Sequence, residues 1–128
     1  METVRLNQIS GTIIDSAIAV HSALGPGLLE SAYEACLLYE LRKRGLHVES
    51  QVPLPVVYEA VRLEAGYRLD LLVENTVVVE LKACDAIAPV HRVQLLSYLK
   101  LSNKPLGLLL NFHVALMKDG ILRMRNGY

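Results

Sequence analysis

Apolar residues recur along this chain at two spacings, three to four residues and two, and the switches between them divide it into elements. Over Ile9 to Leu24 the residues Ile9, Ile13, Ile14, Ala17, Val20, Ala23 and Leu24 follow three- and four-residue steps, the pattern of an amphipathic helix. Gly25-Pro26-Gly27 ends it, because proline lacks an amide hydrogen and restricts the residue before it, while the glycines permit a sharp change of direction. A second helix is predicted from Leu28 to Arg44, with Leu29, Ala32, Tyr33, Cys36, Leu37 and Leu41 on its apolar face. The basic run Arg42-Lys43-Arg44 falls in its last turn, where cations complement the helix dipole, and Gly45 closes it.

The period then shortens to two. His47 to Tyr58, HVESQVPLPVVY, reads as a strand whose Pro53 and Pro55 confine it to an edge or a bulge. Glu59-Ala60 offers a turn, and a strand resumes at Val61 and runs into Tyr67–Lys82, YRLDLLVENTVVVELK. There two apolar, β-branched runs flank Glu74-Asn75-Thr76, which predicts a hairpin. A loop centred on Asn75 pairs residues whose numbers sum to 150, setting Asp70 opposite Glu80 on one face with Lys82 two residues along. A two-residue turn at Asn75-Thr76 would send Asp70 to the other face, because a one-residue slip inverts every side chain. The odd-numbered loop is the expectation.

After a loop at Ala83–Ala88, Pro89 is placed to open a third helix running to Leu101. His91, Gln94 and Tyr98 share one of its faces, and Val90, Val93, Leu96 and Leu99 are assigned to the core. Leu106 to Phe112 is a continuous apolar run suited to a strand buried on both faces. Val114–Met117 and Ile121–Arg125 read as a terminal hairpin around Asp119-Gly120. The predicted order is α-α-β-β-β-α-β-β-β. An α/β fold with a mixed central β-sheet flanked by helices packs it economically.

At 128 residues the chain is read as a single domain, 1–128, able to bury a core without disulfides or a structural metal. Hydrophobic residues make up 52%, yet no apolar run approaches the roughly 20 residues of a membrane span. The N-terminal segment lacks the pattern of a signal peptide, so a cytoplasmic protein is expected. Thirteen basic residues balance thirteen acidic ones, which argues against coating nucleic acid through a wide basic surface and leaves room for a focused site. Cys36 and Cys84 lie far apart without a CxxC spacing, so buried free thiols are expected rather than zinc or a disulfide. His47 and His113 read as structural. His21, just before the Gly-Pro-Gly turn, is a candidate to pack near Glu30.

Two opposed carboxylates on the inner strands of a small domain repel each other and are costly to desolvate. A hard cation held by oxygen ligands answers both difficulties. An aspartate followed by Glu-x-Lys on the neighbouring strand is also what metal-dependent phosphodiester cleavage needs: carboxylates for Mg²⁺, and an ammonium beside the attacking water. Two plainer readings stand beside this one. A surface ladder of ion pairs would give the same letters, and Glu30 in the first turn of a helix interacts favourably with the helix dipole. Arg42 to Arg44, Lys100, Lys104, Arg123 and Arg125 read as a solvated charged face or as residues that hold DNA.

With Asp70 and Glu80-Leu81-Lys82 at its defining positions, the sequence resembles the PD-(D/E)XK nuclease superfamily. It is similar to RecB-type members in carrying Glu30 on an early helix and Gln94-Leu95-Leu96-Ser97-Tyr98, a Gln-x-x-x-Tyr motif, on the helix after the lysine strand. Gly27-Leu28-Leu29-Glu30-Ser31-Ala32-Tyr33 resembles the signature of the GxxExxY protein family, as do LGPGLLE, QVPLP, GYRLDLLVE, VVVELKA and QLLSYLK. The resemblance implies a restriction-endonuclease-like core. It implies catalysis by Glu30, Asp70, Glu80 and Lys82, with Mg²⁺ or Mn²⁺ held by Asp70, Glu80, the Leu81 carbonyl and Glu30. Gln94 and Tyr98 would contact the phosphate backbone or hold Lys82, and His91 on the same face could reach the site. The expected activity is hydrolysis of phosphodiester bonds in nucleic acid, DNA ahead of RNA. The alternative is a binding module that keeps the nuclease fold without turnover. A homodimer, as in resolvase-like members, is a further expectation, with Leu- and Val-rich surface or the terminal hairpin as its contact.

Overall fold

In the computed structural model, which describes residues 3–64 and 66–128, the first helical repeat begins earlier than expected. Helix α1 (Thr3–Leu24) buries Leu6, Ile9, Ile13, Ala17 and Val20 along one stripe. Ser10 and Ser16 share that stripe, and each hydroxyl bonds to a backbone carbonyl of its own helix, Asn7 at 3.2 Å and Thr12 at 2.7 Å. Helix α2 (Glu30–Lys43) buries only Tyr33, Leu37 and Leu41. These stand at four-residue steps, a narrow line that leaves Leu29 and Cys36 exposed against expectation. Both cysteines are free, but Cys36 is exposed and Cys84 half-buried.

The central sheet runs β1 (Val48–Pro53), β4 (Arg68–Val73), β5 (Val77–Lys82), β6 (Leu106–Asn111) and β7 (Ile121–Arg125), in that spatial order. Among the described residues only β5 and β6 are parallel, joined by helix α3 (Pro89–Ser102) as the crossover that parallel strands require. The mixed sheet flanked by helices is thus as expected. In the β4–β5 hairpin the pairs Leu71–Val79, Leu72–Val78 and Val73–Val77 set the odd-loop register. Glu74 and Asn75 both take positive φ, and the Thr76 N–H closes the turn on the Val73 carbonyl at 3.0 Å.

One face of the sheet, with Leu71, Val73, Val79, Leu81, Leu108 and Leu110, packs against α1 and α2. The other, with Leu72, Val78 and Leu109, packs against Leu95, Tyr98 and Leu99 of α3. Helix α3 is therefore turned relative to the sequence reading: Val90 and Val93 are 66% and 64% exposed. Gly107 accounts for the turn, since a Cβ there would come within 2.9 Å of Leu95 Cδ1, so α3 seats Leu95 directly on β6.

Three strand expectations are corrected. Residues 114–117 form no strand; Met117–Gly120 is a short 3₁₀ turn, and β7 pairs antiparallel with β6. The buried β6 has backbone groups to satisfy on both edges, and the last segment satisfies one of them. Gly120 serves close approach rather than a hairpin turn, because a Cβ there would run into the Asn111 carbonyl. The strand resuming at Val61 stops at Leu63; it forms β3 (Val61–Leu63) of a separate two-stranded hairpin with β2 (Val56–Tyr58). Ala65, which the predicted continuous strand crosses, lies outside the described residues. His47 and His113, read as structural, are exposed, each 3.6 Å from a carboxylate, Glu49 and Asp85 respectively. Among the described residues no helix is long and apolar enough to cross a membrane.

Candidate active site

The site starts where two strands part. Beyond Leu71 and Val79 the β4–β5 ladder stops: β4 continues toward its start paired to β1, while β5 continues toward its end paired to β6. At that fork side chains replace ladder bonds. The Asp70 N–H donates to Glu80 Oε2 at 2.8 Å, and the Leu81 N–H donates to Asp70 Oδ2 at 2.9 Å. Each carboxylate thus satisfies a backbone donor that the parting strand has left.

A second irregularity coincides with the first. Along β1 and β4 the pairs Ser50–Leu71 and Val52–Leu69 flank Gln51 and Asp70, which are not paired, and Gln51 has φ 52°. Val48 packs with the α1/α2 layer but Val52 with the α3 layer; Leu71 and Leu69 divide the same way. A regular strand would keep residues four or two apart on one face. Both strands therefore reverse facing together at Gln51 and Asp70, which releases Asp70 from both neighbours.

Electrostatics at the fork follow from burial. Glu80 is 6% exposed. Its carboxyl is pushed up to about 8, first by burial and then by the Asp70 charge, against the pull of the Asp70 N–H and of Lys82, with Glu34 adding to the rise. Glu34, one turn after Glu30 on α2, is also raised, by burial first; its bonds from Gln51 Nε2, at 2.9 and 3.1 Å, pull it down, and Asp70 and Glu30 push it up. The sequence reading missed Glu34 and Gln51. Their signals were a like-charge pair at i, i+4 on α2, unfavourable in a helix without compensation, and a polar residue inside a β run.

Glu30 is exposed at the first position of α2. What presents it is Tyr33, whose hydroxyl donates to the Gly25 carbonyl at 2.6 Å and accepts from the Leu28 N–H at 3.1 Å. The Tyr33 ring stacks on Phe112 at 4.5 Å. The loop before Glu30 is thereby pinned to the end of β6. His21 secures the same corner by bonding the Val114 carbonyl at 2.8 Å and packing beside Phe112, rather than by reaching Glu30.

Lys82 is half-buried at the end of β5, and its carbonyl accepts from the Phe112 N–H at 2.9 Å. Opposite it, buried Asn111 bonds both backbone groups of Cys84 and the His113 N–H, clamping the loops that leave β5 and β6. On α3, Gln94 Nε2 donates to the Tyr98 hydroxyl at 3.1 Å, and Tyr67 meets the Tyr98 ring edge-on. The Tyr98 hydroxyl is raised by burial and by the charge of Glu80, with Gln94 pulling it down and Tyr67 and Asp70 adding to the rise. His91 closes the first turn of α3 by accepting the Ala88 N–H at Nδ1, 3.0 Å.

The two fork carboxylates touch through backbone bonds; Lys82, Glu34 and Tyr98 surround them within electrostatic reach. Glu30, exposed one turn before Glu34, reaches the group only through its charge on Glu34. Among the described residues, no three His, Cys, Asp or Glu side chains gather closely enough to hold a metal ion, and none of Asp70, Glu80 or Lys82 makes an ion pair. The donor chemistry nonetheless fits a hard cation, since two carboxylates crowd at one notch and burial with the Asp70 charge raises the Glu80 carboxyl, a penalty that a positive ion would relieve.

A five-stranded mixed sheet flanked by helices, forking over an Asp and a Glu-x-Lys, is an α/β domain consistent with a restriction-endonuclease-like fold. Residues 7–124 match the family model of the PD-(D/E)XK nuclease superfamily, and the chain belongs to that superfamily. No curated protein and no solved structure matches it significantly.

Proposed function

We propose that this chain is a metal-dependent nuclease of the GxxExxY branch, hydrolysing phosphodiester bonds, in DNA ahead of RNA, at the β4–β5 fork. The observation that carries the reading is the pair Asp70 and Glu80, each accepting a backbone N–H released where the strands part, in a notch where burial and mutual repulsion push the Glu80 carboxyl up to about 8. Asp70, Glu80, the Leu81 carbonyl and Glu30 would hold Mg²⁺ or Mn²⁺. When bound, the cation supplies Lewis-acid polarisation of the phosphate and a more acidic water. Lys82 orients the attacking water with its ammonium and offsets negative charge growing on the phosphate as the water oxygen bonds to phosphorus and one ester P–O bond breaks. Gln94 and Tyr98 offer amide and phenol donors to the nucleic-acid backbone. Tyr33 fixes the loop that leads into Glu30.

The test is incubation of labelled single-stranded, duplex and branched DNA with the protein and Mg²⁺ or Mn²⁺. Cleavage is expected to fall by about a hundredfold or more in Lys82→Ala and in Asp70→Ala, the scale of removing one charge-stabilising group. Cleavage unchanged in either variant would refute the assigned roles. A second reading, a module that binds nucleic acid without turnover, is favoured by the lack of a third ligand close to the fork carboxylates among the described residues. It predicts DNA binding with no cleavage under any metal.

A further inference from the structure

Outside the central sheet, the β2–β3 hairpin carries an apolar face that is largely exposed among the described residues. Its ladder pairs Val56 with Leu63, Val57 with Arg62 and Tyr58 with Val61. Val56, Tyr58, Val61 and Leu63 therefore share one face, and Val57 and Arg62 the other. Tyr58, Val61 and Leu63 are 70%, 52% and 51% exposed. Val56 alone of the four is half-buried, above a hollow of about 260 Å³ that it lines with Tyr67, Tyr98 and Leu101. A two-stranded ribbon is marginal in water; a third strand and a covered apolar face make it stable.

Among the described residues β3 pairs with β2 alone, and its outer edge is complementary to itself. Tyr58 pairs with Val61 across the two-residue turn Glu59–Ala60, so Val61 and Leu63 direct their N–H and C=O toward β2, while those of Arg62 face outward; the same alternation carried one residue past the end of β3 turns those of Glu64 outward as well. We propose that β3 pairs antiparallel with β3 of a second copy of this chain, about a two-fold axis at Leu63, giving a four-stranded sheet β2-β3-β3-β2. Arg62 then stands opposite Glu64 of the partner subunit, and by symmetry the pair occurs twice. The outward backbone groups of both residues are those the new ladder consumes. Leu63 meets Leu63 of the partner subunit at a non-hydrogen-bonded position, where side chains approach most closely. Eight apolar side chains share one face of the joined sheet.

Nucleic acid suits this surface less well. Phosphate recognition draws on unpaired cations. The cation on the hairpin, Arg62, already bonds Glu64 at 2.7 Å, and the apolar face carries no charge. The proposal does not depend on the nuclease reading, and its readout is mass rather than activity.

The experiment is sedimentation equilibrium on the full chain, free of nucleic acid, alongside Arg62→Glu, Glu64→Arg and the double exchange R62E/E64R, each checked for native circular dichroism. The wild type is expected at twice the 14.2 kDa chain mass. Each single reversal places like charges opposite one another twice and weakens dimerisation by about tenfold or more; the double exchange restores the opposed pairs and the dimer. A monomer at all concentrations would overturn the proposal. So would a dimer indifferent to the single reversals, or a double exchange that stays monomeric, or association that appears only once an oligonucleotide is added.

Discussion

Glu80 couples the fold to the chemistry at the level of one side chain. Its folded-state pKa, about 8, stands above the ordinary carboxyl value of 4.5, so the folded protein holds this proton more tightly than the unfolded chain. The contribution is fully present below about pH 4.5 and is lost as pH rises to about 8. Metal-free protein is therefore expected to lose stability across that window, by an amount on the order of a few kcal/mol. Glu80→Gln, which keeps an acceptor for the Asp70 N–H, should flatten the decline; urea titrations at several pH values check this, and a wild-type curve no steeper than the variant's would contradict it. Tyr33→Phe removes the hydroxyl that joins half-buried Gly25 to exposed Leu28 and should cost about 0.5–1.5 kcal/mol, the net worth of an ordinary hydrogen bond whose partners water can reach. Thermal unfolding measures it. The fork pair was legible in the sequence because one turn length fixes which residues face each other. Glu34 and Gln51 were not, because the shared reversal of β1 and β4 at Gln51 and Asp70 breaks the two-residue alternation on which strand reading depends.

At the level of elements, the hairpin, the crossover helix and the buried β6 followed from periodicity and from the glycine and proline breaks. The rotation of α3 and the partner of β7 did not, since both depend on close approaches between a glycine and a different element, which periodicity along the chain does not reveal. Gly107 admits Leu95, and Gly120 lies against the Asn111 carbonyl. These two glycines should respond differently to alanine. At Gly107 the obstruction is the end of a flexible leucine, which can shift, and a loss of about 1 kcal/mol is expected. At Gly120 it is backbone, so the loss should reach about 3 kcal/mol or more and part β7 from β6. Denaturant midpoints of the two variants check the order; equal losses would refute the close-approach explanation of Gly120.

For the whole molecule, two helical layers enclose the sheet, and the fork opens between the N-terminal end of α2 and the face that carries α3. The net charge is zero, and four of the thirteen basic side chains are paired with carboxylates: Arg5 with Glu74, Lys43 and Arg44 with Glu40, Arg62 with Glu64. DNA binding should accordingly depend weakly on salt, with a log–log slope shallower than about −3, each neutralised phosphate contributing roughly −0.9. Fluorescence anisotropy across salt concentrations reads that slope, and a steep one would point to a broad basic footprint instead. The most direct measurement of whether the fork is a cation site is calorimetric titration of Mn²⁺ into wild-type protein and into Glu80→Gln. Saturable binding with release of a proton below pH 8, lost in the variant, is the result predicted. Absence of binding in the wild type, or equal binding in both proteins, would contradict it.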